Sequence, residues 1–160
     1  MQQLSWWQKM TRFDFYHLQK TPIEQALPKL MEKAYATGKR IKILVGNEER
    51  VEFINSLLWT YSEESFLPHG SSKDGFIDEQ PIFISSNEEN ENNASIIALI
   101  DGARPDVSTL EQYERVLNIF DGCDEFSLNN AREYWKEVKN SGFELHYWQQ
   151  REDKSFEQKL

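Results

Sequence analysis

The side chains that could do covalent or acid–base chemistry are few and scattered. The three histidines, His17, His69 and His146, share no metal-ligand spacing. Cys123 is the only cysteine, and nothing in sequence brings it to a base such as His69, so it reads as a small structural residue. His69 follows Pro68 in a loop and reads as a group that holds the loop's shape. Glu88, Glu89 and Glu91 stand among asparagines with no liganding periodicity, so a solvated loop is expected there. Gly46-Asn47-Glu48-Glu49 lacks the glycine and lysine spacing of a phosphate loop. No GxGxxG follows either early strand. Asp101-Gly102 and Asp121-Gly122 read as turns. The expectation is no catalytic residue, no metal and no cofactor.

Two other groupings suit recognition. In the last predicted helix, Leu128, Ala131, Tyr134, Trp135 and Val138 fall on one side. Arg132, Lys136 and Lys139 gather beside Trp135 and Leu128, and Glu133 and Glu137 point elsewhere. Cations near a helix C-terminus complement its dipole, which is one account of this stripe. The other is a site for a short acidic peptide ending in an aromatic. Arg132 and Lys136 would meet its carboxylates, and the Trp135 region would receive the ring. The second grouping is earlier. Val51, Ile54, Leu57, Leu58 and Tyr61 share a helix face, and Trp59 lies on the opposite, polar side. With Phe66, Leu67 and Pro68 just beyond, Trp59 either helps form an exposed partner surface or is buried by the loop folding back.

The elements that must position these groups alternate in type. Residues 13–18 and 41–45 read as strands, each followed by a helix, over 21–37 and 48–60. Thr21, Pro22 and Glu24 suggest a capping box, Pro28 interrupts the first helix, and Gly38 is its expected stop. Residues 62–80 form a long loop. Strands follow at 81–85 and at 96–100, the latter apolar throughout and so central. Residues 113–120 are a fifth strand, or else a helix continuing from Thr109. The last helix spans 124–141, then 143–148 makes a short edge strand. The pattern predicts one α/β domain, a mostly parallel Rossmann-like sheet flanked by helices without a nucleotide-binding loop. Its expected limits are 13–148, with an N-terminal extension at 1–12 and a charged, frayed tail at 149–160.

Bulk properties bound the function. A chain of 160 residues with 39% hydrophobic side chains can bury a real core. A net charge of −9 argues against broad nucleic-acid binding, so contact with DNA is expected to be indirect or confined to a small patch. A single cysteine suits a reducing compartment. No apolar run approaches the roughly 20 residues of a membrane span, and residues 1–12 carry Trp6 and Trp7 but no signal-peptide core. The expectation is a soluble, cytoplasmic protein.

The order of motifs from Phe13 to Phe143 resembles the chi subunit family of bacterial DNA polymerase III, an accessory subunit of the clamp loader. Phe15-Tyr16-His17-Leu18 resembles the family's FYLL, and Gly38-Lys39-Arg40 its GKRVLI. Leu58-Trp59 with Ser65-Phe66-Leu67-Pro68-His69 resembles LW…SFLPH, the most specific of the matches. Tyr113-Glu114-Arg115-Val116-Leu117 resembles FERVVE, and the run Ala131–Lys136 with Gly142-Phe143 resembles the family's last helix. The resemblance implies an α/β fold without nucleotide chemistry and a non-catalytic adaptor. It implies one surface for the psi subunit, here Trp59, Phe66, Leu67 and Pro68. A second surface takes the acidic C-terminal tail of single-stranded-DNA-binding protein, here Leu128, Arg132, Trp135, Lys136 and Lys139. Such a protein links the clamp loader to the coated lagging-strand template. It is a monomer alone and a heterodimer with psi, and a helicase is another possible partner of the psi-facing surface. Trp135 stands where the family usually has Tyr, Leu128 where some relatives carry a cation, and the Gly70–Gly75 loop departs from the family pattern. The alternative from another class is an α/β nucleotide-binding enzyme.

Overall fold

A computed structural model describes residues 10–62 and 66–160. Eight strands form one sheet in the order β3-β4-β2-β5-β6-β1-β7-β8. They are β1 Arg12–Leu18, β2 Ile41–Val45, β3 Gly70–Ser71, β4 Ile82–Ser85, β5 Ile96–Ile100, β6 Arg115–Asp121, β7 Glu144–Gln150 and β8 Phe156–Gln158. Every pairing is parallel except that of β8 with β7. The helices α1 Ile23–Tyr35, α2 Val51–Thr60 and α3 Glu125–Lys139 cover the sheet. β2 and β5 are buried at every residue, as strands covered on both faces must be.

The core has two halves, one on each face of the sheet. Alternation along β1 sends Tyr16 and Leu18 to one half with Leu27, Leu30 and Met31 of α1. Phe13 and Phe15 go to the other half with Ala131, Tyr134 and Val138 of α3. Burying these side chains at roughly 1.5–3 kcal/mol each drives the layering.

Local signals gave way wherever a distant partner was better. The capping box at Thr21 does not form: Pro22 is the N-cap residue, without a side-chain cap bond. The Thr21 hydroxyl instead accepts from Gln150 Nε2 at 2.9 Å, and Glu24 pairs with Arg50 at 3.1 Å. α1 runs through Pro28, which is buried. Gly38 adopts the left-handed conformation, φ +79°, that stops the helix. The second predicted helix begins as a 3-10 turn, Glu48–Arg50, before α2. The long loop contains β3 and two further 3-10 turns. A 3-10 stretch at Val107–Gln112 ends before β6, so the helical alternative for 113–120 is not adopted.

Three expectations are corrected. Residues 88–93 are not a purely solvated loop, because Glu91 meets the fully buried Lys42 and Asn92 is buried. β7 is an interior strand between β1 and β8. The charged end at 149–160, expected to fray, supplies β8, and Gln150 is buried. Of the expected N-terminal extension, residues 1–9 lie outside the described residues and Arg12 opens β1.

Candidate functional site: an aromatic cleft beside the last helix

α3 starts where Asp124 caps it: one carboxylate oxygen accepts from the Ser127 amide at 2.9 Å. Ala131, Tyr134 and Val138 turn into the core, and the Tyr134 hydroxyl donates to the Pro105 carbonyl at 2.7 Å. That orientation fixes the other faces of the helix. Glu133 and Glu137 lie on the side of Arg104, which holds both, at 3.3 and 2.6 Å. Arg132 and Lys136 are exposed on the opposite side and have no carboxylate partner among the described residues.

Between that basic side and the sheet lies a cleft of about 300 Å³. Its helix wall is Leu128, Ala131 and Trp135, with Arg132 and Lys136 at the rim. Its sheet wall is Phe15 of β1, Phe120 of β6 and Tyr147 of β7. Trp135 meets Phe15 edge-on at 5.1 Å between ring centroids, and Tyr147 at 5.5 Å. These edge-to-face contacts fix the indole ring. His17 sits beside the sheet wall, its Nδ1 2.5 Å from the Tyr147 hydroxyl and its ring 5.0 Å from Phe120. Gly122 is required there, because a Cβ at that position would come within 1.9 Å of His17 Nε2. Burial, and after it the Arg132 charge, lowers the His17 pKa below its ordinary value. Burial raises that of Tyr147, against the pull of Arg132. An apolar recess with two unpaired cations at its lip suits a chain end that carries both a ring and carboxylates.

Leu128, Arg132, Trp135 and Lys136 therefore come together, while Lys139, although exposed, does not line the cleft. The sheet wall was missed by sequence reasoning. The period-2 pattern of β1 and β7 marks Phe15 and Tyr147 as facing alternate sides, but not which helix they face.

The second grouping divides. Trp59 and Phe66 are 50% and 66% exposed, with rings 5.6 Å apart. Pro68 is half-buried beside them. Leu67 is 2% exposed and belongs to the core, so it is withdrawn from the expected partner surface. Its neighbour His69 explains why. The buried His69 faces the Leu67 carbonyl through Nδ1 at 2.5 Å and the Asn55 carbonyl through Nε2 at 3.0 Å. It thereby ties the loop to α2 and places its ring 4.6 Å from Trp59. Ser65 lies outside the described residues.

Open α/β sheets usually bind ligands at the carboxyl ends of their strands. Here the crevice beyond β5 and β6 holds only about 70 Å³ and is lined by Asp101 and Asp121. After β2, Asn47 caps its own 3-10 turn, and Glu48 and Glu49 occupy the first positions. Carboxylates in those places repel phosphate.

The model of the family described as DNA polymerase III chi subunit, HolC, matches residues 10–146. The chain is also similar to the probable DNA polymerase III subunit chi of Rickettsia prowazekii, 33% identical over 111 residues. That stretch is 69% of this chain and 66% of the relative, so the chain spans a little under two thirds of the relative's length. With a family match running from the start of β1 into β7, the chain belongs to the DNA polymerase III chi subunit family.

Proposed function

We propose that this protein is a non-catalytic, cytoplasmic replication adaptor with two peptide-binding surfaces. The cleft beside α3 takes the acidic C-terminal tail of single-stranded-DNA-binding protein. The Trp59–Phe66 surface takes a psi-type subunit of the clamp loader, and Pro68 supports its edge. The protein in this way links the clamp loader to coated lagging-strand template and reaches nucleic acid through its partners. The observation that carries the reading is the union of Trp135, Phe15 and Tyr147 with the unpaired Arg132 and Lys136 in one recess. The family membership supports the replication context.

The test is a fluorescence titration with a peptide of the organism's own single-stranded-DNA-binding-protein tail, on the full chain and on Arg132→Ala. Loss of one charge-assisted pair should weaken binding about tenfold, roughly 1.4 kcal/mol, and added salt should weaken it further. Equal binding by both proteins, or none by either, would remove the tail from this cleft.

A further inference from the structure

On the opposite face of the sheet from α3 lies a larger cavity, about 500 Å³, between α1 and the strands β1, β7 and β8. Five of the chain's 18 lysines and arginines line it, and no carboxylate does. They are Arg12, Lys29, Lys33, Arg115 and Lys154. The buried Asp14 lies behind the wall and holds the two guanidinium groups, at 3.1 and 2.9 Å. It offsets one charge. Lys29, Lys33 and Lys154 have no carboxylate partner among the described residues. On a chain of net charge −9, this is a concentrated positive site.

Its floor is aromatic. Tyr16 and Trp148 stack across β1 and β7 with rings 9° from parallel, and Phe156 of β8 meets Tyr16 edge-on at 5.2 Å. The Trp148 indole N–H is taken by Asp14 at 2.8 Å, which fixes the ring. Thr21, Gln25 and Ser155 add hydrogen-bonding groups to the lining. Trp148, Lys154 and Phe156 lie beyond residue 146, where the family match ends.

We infer that this cavity binds a nucleotide phosphate, its base against the Trp148–Phe156 floor and its phosphate on Lys29 and Lys33. Those two lysines stand one helical turn apart, about 6 Å, and can share one phosphate or hold two successive ones. Aromatic side chains edged by cations are the means that proteins use to hold unpaired nucleotides. The volume lies within the usual range for small-ligand sites. The net charge argues against broad nucleic-acid binding, and a site of one or two nucleotides respects that limit.

The same chemistry could come from a free nucleotide or from a nucleotide within single-stranded DNA, and the probes separate the two. Fluorescence anisotropy with a labelled short oligothymidylate and calorimetry with thymidine and adenosine phosphates would be run at low salt on the full chain. Both would be repeated on Lys29→Glu/Lys33→Glu, on Lys29→Gln/Lys33→Gln and on Arg132→Ala. Because both lysines are exposed, neither pair of changes should unfold the protein, and circular dichroism checks this. Binding of either probe that falls at least tenfold in the Glu pair, falls less in the Gln pair and is unchanged in Arg132→Ala supports the site. For the oligonucleotide, the salt slope should also drop by about 1.4 in the Gln pair, two phosphate contacts at about 0.7 each. No binding of either probe, or binding indifferent to Lys29 and Lys33, overturns the proposal. So does an acidic peptide that binds there when neither probe does. Because Arg132→Ala reads only the α3 cleft, failure here is distinct from failure of the adaptor reading.

Discussion

Two ionisable residues stand where the fold makes charge expensive. His17, beside the cleft, has its pKa lowered from the ordinary 6.5 by burial and then by Arg132. Between the lowered value and 6.5 the unfolded chain carries a proton that the folded chain lacks. The His17 contribution to stability is therefore complete above pH 6.5 and declines as pH falls through that window. Denaturant midpoints at pH 7.5 and 5.5 should differ more for the wild type than for His17→Gln; identical differences would refute the assignment. Lys42 is fully buried, and its ammonium donates to Ser85 Oγ at 2.6 Å and to the Glu89 carbonyl at 2.9 Å, besides meeting Glu91. Burial lowers its pKa, and Glu91 works in the other direction. Lys42→Met alone strands the Glu91 carboxylate and should cost about 3–5 kcal/mol. Lys42→Met with Glu91→Gln should recover much of that loss in the same urea titration. No recovery would mean that packing, not the ion pair, sets the cost.

At the scale of elements, the last part of the chain is locked to the first. Gln150 at the end of β7 accepts three backbone N–H groups through Oε1, from Gln19, Lys20 and Thr21, at 3.0, 2.8 and 3.2 Å. Its amide nitrogen donates to Thr21 Oγ1 at 2.9 Å and to the Lys154 carbonyl at 3.3 Å. One buried side chain thus shapes the β1–α1 turn and the approach to β8. Gln150→Ala should cost about 2–3 kcal/mol, since buried donors lose their acceptor. Gln150→Glu keeps an acceptor and should cost less. If thermal unfolding shows the two variants equally stable, the nest of three amides is not what Gln150 contributes. A similar close junction joins β2 to β5. The Gly46 amide donates to the Ile100 carbonyl at 3.0 Å, and a Cβ there would meet the Asp101 carbonyl oxygen at 2.1 Å.

Across the whole molecule, the proposed recognition features occupy separate places on one sheet. The α3 cleft and the α1 cavity lie on opposite faces, and the Trp59–Phe66 pair stands at the end of α2. Separation permits simultaneous engagement, which an adaptor needs. Trp59→Ser with Phe66→Ser should leave the fold intact at a cost of about 1–3 kcal/mol, because Phe66 is mostly and Trp59 half exposed. Coexpression with a psi-type subunit followed by size exclusion should nevertheless show the complex lost. An intact complex would move the psi surface elsewhere, and a large stability loss would make the pair structural.

Much of the architecture was legible because it follows from local periodicity. The run 96–100 is apolar at every position, which only a strand buried on both faces needs, and it lies at the middle of the sheet. The spacing of Leu128, Arg132, Trp135 and Lys136 placed them on one helix face, since 3.6 residues per turn fixes that grouping without reference to the rest of the chain. Leu67 was misplaced because His69, buried between the Leu67 and Asn55 carbonyls, draws the loop inward, and Asn55 is on α2. The loop at 88–93 was misread because Glu91 is charged in sequence but is recruited to Lys42 from 49 positions away. β8 and the interior position of β7 were missed because a run of only three residues, Phe156–Gln158, forms a strand only when an existing strand edge offers its hydrogen bonds.

By itself the sequence determined the type of most of the longer elements, the charge limits and the helix faces, all of which depend on neighbours within a turn or two. Only the tertiary structure decided which strand residues complete the α3 cleft, which carboxylates are spent on Arg104 and Lys42, and that the chain's end walls a basic cavity. Those outcomes join residues far apart in the chain, 29 positions for Arg104 with Glu133, 49 for Lys42 with Glu91, and over a hundred for Phe15 with Trp135 or Tyr16 with Trp148 and Phe156. No local pattern encodes such pairings; they arise when the two faces of one sheet are covered by helices that compete for the same buried surface.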